Sequence, residues 1–251
     1  MKNSYTHDNN GNKLYHAVDD KVRKVNYADL YEENPEEWTP SPEDIWCELQ
    51  LLGLGDWEPL NFNFVETEWA DNQRSIEHFY TTFQPREGIL NDRQSVLLYG
   101  LEGDHPSRPT GLDQIRRELG YMPLEEEFKY PTEAQKLLTS YHDVFDYFGD
   151  MGRSFVIKLN AGGFYPYHRD FPFITRNTIR LIGFHGNSNQ DQLEWEVAGQ
   201  RQPIIPNTLY YVNTMKRHRL SSWKHDSDMV VLNLPKTWKN VLKIMSVLNG
   251  G

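Results

Sequence analysis

From Ser154 onward the chain falls into short apolar runs: SFVIKL (154–159), FYPYH (164–168), TIRLIGF (178–184), LEWEVA (193–198), TLYYVNT (208–214) and MVVLNL (229–234). Gly, Pro, Asn and Asp clusters separate them. Apolar runs of this length, divided by turn residues, predict the strands of a β-sandwich or barrel. Upstream the period lengthens. In PTEAQKLLTSYHDVFDYFG, residues Leu137, Leu138, Tyr141, Val144, Phe145 and Phe148 recur at helical spacing. That predicts one helix over 132–148, with Thr132 and Gln135 as a capping box and Gly149 as its stop. Further helices are predicted over 44–52, stopped by Gly53, over 110–119, stopped by Gly120, and over 238–248. PLNFNFV (59–65) and SVLLY (95–99) predict two more strands. Residues 1–40 are polar and irregular, and Pro35, Pro40 and Pro42 predict extended or loop-like backbone.

Helices therefore come first and a β core second, with no internal repeat and no linker between them. A chain of 251 residues suits one large domain. The expected architecture is a single domain over 1–251, mainly β with helices packed outside. Its parts are an irregular and helical region over 1–150, a β core over about 154–234 and a C-terminal helix over 238–248.

Composition narrows the chemistry. Cys47 is the only cysteine, so a disulfide framework and a Cys-rich zinc site are excluded. The polar start lacks the apolar core of a signal peptide, and no run approaches the roughly 18 apolar residues of a membrane span. A soluble, cytoplasmic protein is expected. The formal net charge is −10. Residues 1–60 hold 13 acids and 5 bases, whereas residues 201–251 hold 2 acids and 8 bases. The overall sign disfavours nucleic acid as a partner. The basic end either solubilises the chain or draws an anionic ligand.

The triplet His168-Arg169-Asp170, at the end of FYPYH, is the candidate for chemistry. It is not a kinase catalytic loop: position 175 is Thr where that pattern needs Asn, and no glycine-rich loop, VAIK-like lysine or DFG accompanies it. On extended chain, residues two apart share a face. His168 and Asp170 would then present an imidazole and a carboxylate side by side, either as metal ligands or as a plain surface hydrogen bond. A second histidine would complete a 2-His-1-carboxylate set, which holds iron(II) and leaves positions open. His218, between TLYYVNT and MVVLNL, is best placed; His185 and His225 are the alternatives.

LNAGGFYPYHRD, TIRLIGF, TLYYVNTMKRHRLSS and MVVLNL together resemble the 2-oxoglutarate- and iron(II)-dependent oxygenases. Within them the similarity is to the aspartyl/asparaginyl β-hydroxylase-like or proline hydroxylase-like branch, over about 154–234. The resemblance implies a double-stranded β-helix (a jelly roll, cupin-like) with His168, Asp170 and His218 as Fe(II) ligands. It implies 2-oxoglutarate as co-substrate, O2 as oxidant, and hydroxylation of an unactivated C–H bond of an amino acid, protein side chain or small metabolite. No side chain need act as a general base. A small-molecule or peptide substrate and no membrane partner are expected, with the oligomeric state open. The alternative is a cupin-like metal-binding barrel without oxygenase activity.

The far carboxylate of 2-oxoglutarate needs a cation, and arginine suits it through paired hydrogen bonds. The branch commonly has an Arg about ten positions after the distal His; here that position is Asp228. Arg180, within the apolar NTIRLIGF, is the leading substitute, unless it serves an internal acid such as Glu194 or Glu196. Lys158 is second, unless it faces outward, and Lys224 third. Gly162 and Gly163 read as a bulge or a loop. Tyr165 and Tyr167 read as packing on the face opposite His168. Phe171, Pro172 and Phe173 line the mouth or the core, and Asn213 is a candidate to orient a ligand.

Overall fold

A computed structural model describes residues 4–7, 13–16, 40–83, 93–109, 111–121, 123–170, 177–186, 188–189, 191–223 and 227–248, the first two stretches as backbone only. Phe171, Pro172, Phe173, Lys224, His225 and Pro35 lie outside the described residues. Strands β1 (Ser4–His7) and β2 (Lys13–His16) form a separate hairpin.

Eight strands build the core. They are β7 (Ser154–Leu159), β8 (Phe164–His168), β9 (Thr178–His185), β10 (Leu193–Val197), β11 (Gln200–Gln202), β12 (Thr208–Val212), β13 (His218–Ser222) and β14 (Ser227–Pro235). They divide between a sheet in the order β11-β10-β13-β8 and a larger sheet containing β12-β9-β14-β7. Every pairing is antiparallel. The chain winds back and forth between the two sheets, which makes this the double-stranded β-helix, or jelly roll. The larger sheet is extended on one side by β3 (Trp57–Leu60). On the other it is extended by β5 (Arg93–Gly100), with β4 (Thr81–Thr82) and β6 (Tyr130–Pro131) on β5.

The burial pattern follows from this layering. In the smaller sheet β10 and β13 alternate buried and half-buried positions, because one face meets solvent. In the larger sheet β14 is buried at every position. One face of that sheet looks into the barrel, where Phe155, Ile157, Ile182, Phe184, Trp195, Leu220 and Met229 pack together. The other carries Val156, Leu181, Val230 and Leu232 against helices. Those helices are α1 (Pro42–Leu54), α2 (Glu66–Ile76), α4 (Glu133–Leu137), α5 (His142–Phe148) and α6 (Trp238–Ser246), while α3 (Leu112–Leu119) ends at left-handed Gly120 as expected. Among the described residues no helix is long and apolar enough to cross a membrane.

Five expectations are corrected, three of them by a hydrogen bond from elsewhere in the fold. The helix over 132–148 is two helices separated by a 3-10 turn, Thr139–Tyr141. Asn72 of α2 accepts from the Ser140 backbone N–H and hydroxyl and donates to Thr139, so side-chain bonds hold the interruption in place. Thr132 does not form a capping box; its hydroxyl donates to the Leu97 carbonyl at 2.7 Å. Pro42 is not in extended chain but opens α1, whose N-terminus is closed by a reciprocal box of Ser41 and Asp44. That helix also passes Gly53 and ends at Gly55 (φ 106°). The strand expected over 59–65 stops at Leu60, because the Asn61 N–H is taken by the Val247 carbonyl at 2.6 Å.

Candidate metal centre

His168 ends β8 and His218 begins β13, and the two residues are partners across that strand pair. Asp170 follows two residues on, its N–H donating to the Thr214 carbonyl at 3.1 Å. One potential ligand atom from each residue lies within 4.8 Å of the others. The His168 Nε2 is 3.7 Å and the His218 Nε2 3.9 Å from Asp170 Oδ1. Metal bonds of roughly 2 Å put neighbouring donor atoms about 3–4 Å apart, so small rotations would seat one ion between the three. The group therefore fits a metal of the 2-His-1-carboxylate class.

Both imidazoles are oriented by the backbone. The Nδ1–H of His168 donates to the Pro166 carbonyl at 2.7 Å, and that of His218 to the Lys216 carbonyl at 2.9 Å. Each ring thereby keeps its Nε2 lone pair free on the Asp170 side. The turn that carries this carbonyl is anchored by Asp56, which accepts from Lys216 Nζ at 2.7 Å and from Asn213 Nδ2 at 3.0 Å. Asn213 thus fixes the turn before the histidine and does not touch the ring. Trp195 stacks on His218, ring planes 6° apart and centroids 5.5 Å apart. His218 is nearly enclosed, whereas 37% of the His168 side chain is exposed, so access is from the His168 side.

A bulge makes this arrangement possible. His218 pairs with His168 but Leu220 pairs with Tyr165, so β8 carries one residue more than β13 in that interval. Tyr165 and His168 consequently face the same way, inward, contrary to the expected alternation; their rings lie 6.2 Å apart. Tyr167 is turned outward against Arg217 and Arg219. Pro166 sits within the bulge, where its missing N–H costs no ladder bond. The Gly162-Gly163 pair is not the bulge but the preceding tight turn. Gly163 N–H donates to Asn160 O at 2.7 Å, and Gly162 adopts φ 82°, which favours glycine.

Arg180 lies on the barrel-facing side of β9. Its Nη1 contacts Asp170 Oδ2, and its Nε donates to Asn233 Oδ1 at 3.0 Å. The acid it meets is neither Glu194 nor Glu196, which both accept from Arg219 at 2.7 Å. Burial by itself would raise the Asp170 pKa; Arg180, His218 and His168 outweigh it and hold the carboxyl below its usual value. His218 is driven down to about 4, chiefly by burial, so it is neutral and able to ligate near neutral pH.

Lys158 is not brought to this cluster. It shares the helix side of β7 with Val156, its Nζ 5.4 Å from the centre of the Tyr80 ring. Asp228 is on that same side of β14 and accepts from Gln73 at 2.7 Å. The barrel-facing residues of β14 include Ser227, Met229, Val231 and Asn233, none of them basic. His185 also lies on the helix side, fully buried: Tyr141 Oη–H donates to its Nε2 at 2.5 Å, and its Nδ1–H donates to Asn207 at 3.2 Å. Asp56, Thr214 and Trp195 were not legible as site residues; no local motif marks them.

No protein-family model matches the chain, and no curated protein matches it. Among solved structures it is similar to a Trichoplax adhaerens prolyl hydroxylase in complex with a hypoxia-inducible-factor peptide fragment. That match has 14% identity, covers 79% of this chain and 93% of that one, and has a TM-score of 0.46. A 2OG-Fe(II) oxygenase family oxidoreductase from Burkholderia pseudomallei gives 12% identity, the same coverages and a TM-score of 0.42. The cupin domain of Schizosaccharomyces pombe Cnp3 gives 12% identity over 33% of this chain and a TM-score of 0.27; the match spans only 55% of that chain. At these TM-scores the likeness adds nothing to the site, whose chemistry rests on its own geometry.

Proposed function

We propose that the chain is an Fe(II)- and 2-oxoglutarate-dependent dioxygenase that hydroxylates an unactivated C–H bond of an amino acid, protein side chain or small metabolite. The observation that carries this reading is the His168–Asp170–His218 cluster at the end of a double-stranded β-helix, with both Nε2 atoms turned towards one carboxylate oxygen. The bound iron would supply O2 activation coupled to decarboxylation of the co-substrate. The chain's own side chains do the rest. His168, His218 and Asp170 Oδ1 hold the ion. Arg180 neutralises Asp170 Oδ2, and its remaining Nη2 is the donor we assign to a co-substrate carboxylate. Trp195, Phe184 and Ile157 keep the barrel interior apolar and exclude water.

One feature favours a second reading. The barrel-facing Met229 and Val231 of β14 are apolar and Lys158 lies on the far face of β7, so neither strand supplies the base that the far carboxylate needs. A metal-binding barrel without oxygenase activity follows if Arg180 serves only Asp170. Metal analysis and succinate release from 2-oxoglutarate without added substrate separate the two. Stoichiometric iron together with succinate supports the dioxygenase; iron without 2-oxoglutarate binding supports the second reading. Loss of metal is expected in His168→Ala and His218→Ala. His185→Gln, altered on the far side of the sheet, should bind metal normally; the reverse result overturns the ligand set.

A further inference from the structure

The base that β7 and β14 lack stands one strand further out. Arg93 opens β5 and pairs with Leu159 of β7, in the ladder that also pairs Ser95 with Ile157 and Leu97 with Phe155. Residues directly opposite each other in a sheet point to the same face. Leu159, Ile157, Phe155 and Leu97 all pack inside the barrel. The Arg93 side chain therefore enters the barrel from a strand outside the core set. It is 4% exposed, and its guanidinium carbon lies 4.3 Å from the centre of the Tyr165 ring, a cation–π contact. Tyr165 is the residue that the β8 bulge turns inward, its ring 6.2 Å from that of His168. One aromatic ring thus separates a buried guanidinium from a candidate ligand histidine.

A second observation points to a ligand in the same layer. Trp195 pairs with Leu220, and Leu220 with Tyr165, so one row across the smaller sheet carries all three on its inner face. Trp195 is stacked on His218 and only 5% exposed, and its Nε1–H has no acceptor among the described residues. An indole N–H can only donate, and a buried one ordinarily finds an acceptor. The layer next to the two histidines thus offers a cation and a donor to ligand oxygens, between apolar walls that suit a carbon chain. A five-carbon diacid spans about 5 Å between its terminal carbons. Chelated through its 2-oxo acid end, it would carry its other end from the metal past Tyr165. We infer that Arg93 binds the far carboxylate of 2-oxoglutarate, which leaves Arg180, in contact with Asp170, to the metal end of the co-substrate. Arginine suits this role because its planar fork meets a carboxylate through two hydrogen bonds. The inference rests on the dioxygenase reading and deepens it: Arg93 is the residue that selects a second carboxylate.

The test is calorimetric titration of the manganese(II)-loaded full chain with 2-oxoglutarate and with 2-oxopentanoate, which has the same carbon chain and no far carboxylate. The wild type should prefer 2-oxoglutarate by about a hundredfold. Arg93→Met should erase that preference by weakening 2-oxoglutarate about a hundredfold while 2-oxopentanoate binds as before, a split that a merely structural role would not produce. Arg93→Lys keeps the charge without the fork and should lose about tenfold for 2-oxoglutarate alone, which decides the matter if Arg93→Met fails to fold. Arg180→Ala, acting beside the metal, should weaken both acids. Manganese binding without 2-oxoglutarate binding in the wild type would overturn the dioxygenase reading and this assignment with it. A wild type that binds both acids alike, a preference retained in whichever Arg93 variants fold, or an equal loss of both acids in them would overturn the assignment alone. So would a preference erased by Arg180→Ala instead.

Discussion

Replacing Arg180 with Ala removes the cation from a carboxylate that is 11% exposed and otherwise destabilised by burial. Breaking one side of a buried pair costs about 3–5 kcal/mol, since the remaining charge keeps its desolvation penalty and loses its compensation. The metal-free variant should therefore be destabilised by about 3 kcal/mol. The pH dependence gives a sharper signature. In the wild type the folded Asp170 has a lowered pKa, so it contributes stability above its unfolded value and loses it as pH falls through the folded one. In Arg180→Ala burial dominates, the folded pKa rises, and the native state is penalised as pH rises through it. The stability gap between the two proteins should widen from about pH 4 to pH 7. Metal ligation needs the ionised carboxylate, so metal affinity should also fall, most at low pH. With manganese(II) in place of iron, 2-oxoglutarate binding should weaken about a hundredfold, or about 2.8 kcal/mol at 1.4 kcal/mol per decade. Urea denaturation of the metal-free proteins and calorimetric titration check these values. A gap below about 0.5 kcal/mol that is flat with pH would refute the pairing. Unchanged 2-oxoglutarate affinity in a folded, metal-loaded variant would refute the co-substrate role.

Two further outcomes are expected. Burial lowers the His185 pKa to about 4, so the unfolded chain binds its proton at a higher pH than the folded one does. Metal-free protein should lose stability as pH falls from 6.5 towards 4, by about 1.4 kcal/mol per unit from His185 and as much again from His218, and His185→Gln should about halve that slope in denaturant titrations at pH 7 and pH 5. A Cβ at Gly183 would come 1.8 Å from Tyr141 Oη, so Gly183→Ala should cost about 1–3 kcal/mol. Adding Tyr141→Phe should recover part of it, because the next contacts, His185 Nε2 and Tyr141 Cζ, are both at 3.1 Å; thermal denaturation of the four proteins of the cycle measures the coupling.

The β core was legible because its strands are local: apolar runs of five to eight residues divided by turn residues leave little choice of backbone. The spacing of His168 and Asp170 was legible for the same reason, and His218 stood out by lying between two strand-like runs. What the sequence did not contain was the direction in which side chains point once strands are paired. Lys158 and Arg180 look alike, each a base within an apolar run, yet one faces helices and the other the barrel. That difference depends on which face of each strand the layering turns inward. A single extra residue in β8 likewise turned Tyr165 towards His168. The expected helix over 132–148 met every local rule and was still interrupted, by Asn72 some 67 residues away. Local pattern decides the elements because backbone preferences and apolar periodicity act over a few residues. Partners, facing and breaks come from hydrogen bonds and packing between segments far apart in the chain, and only the tertiary structure brings those together.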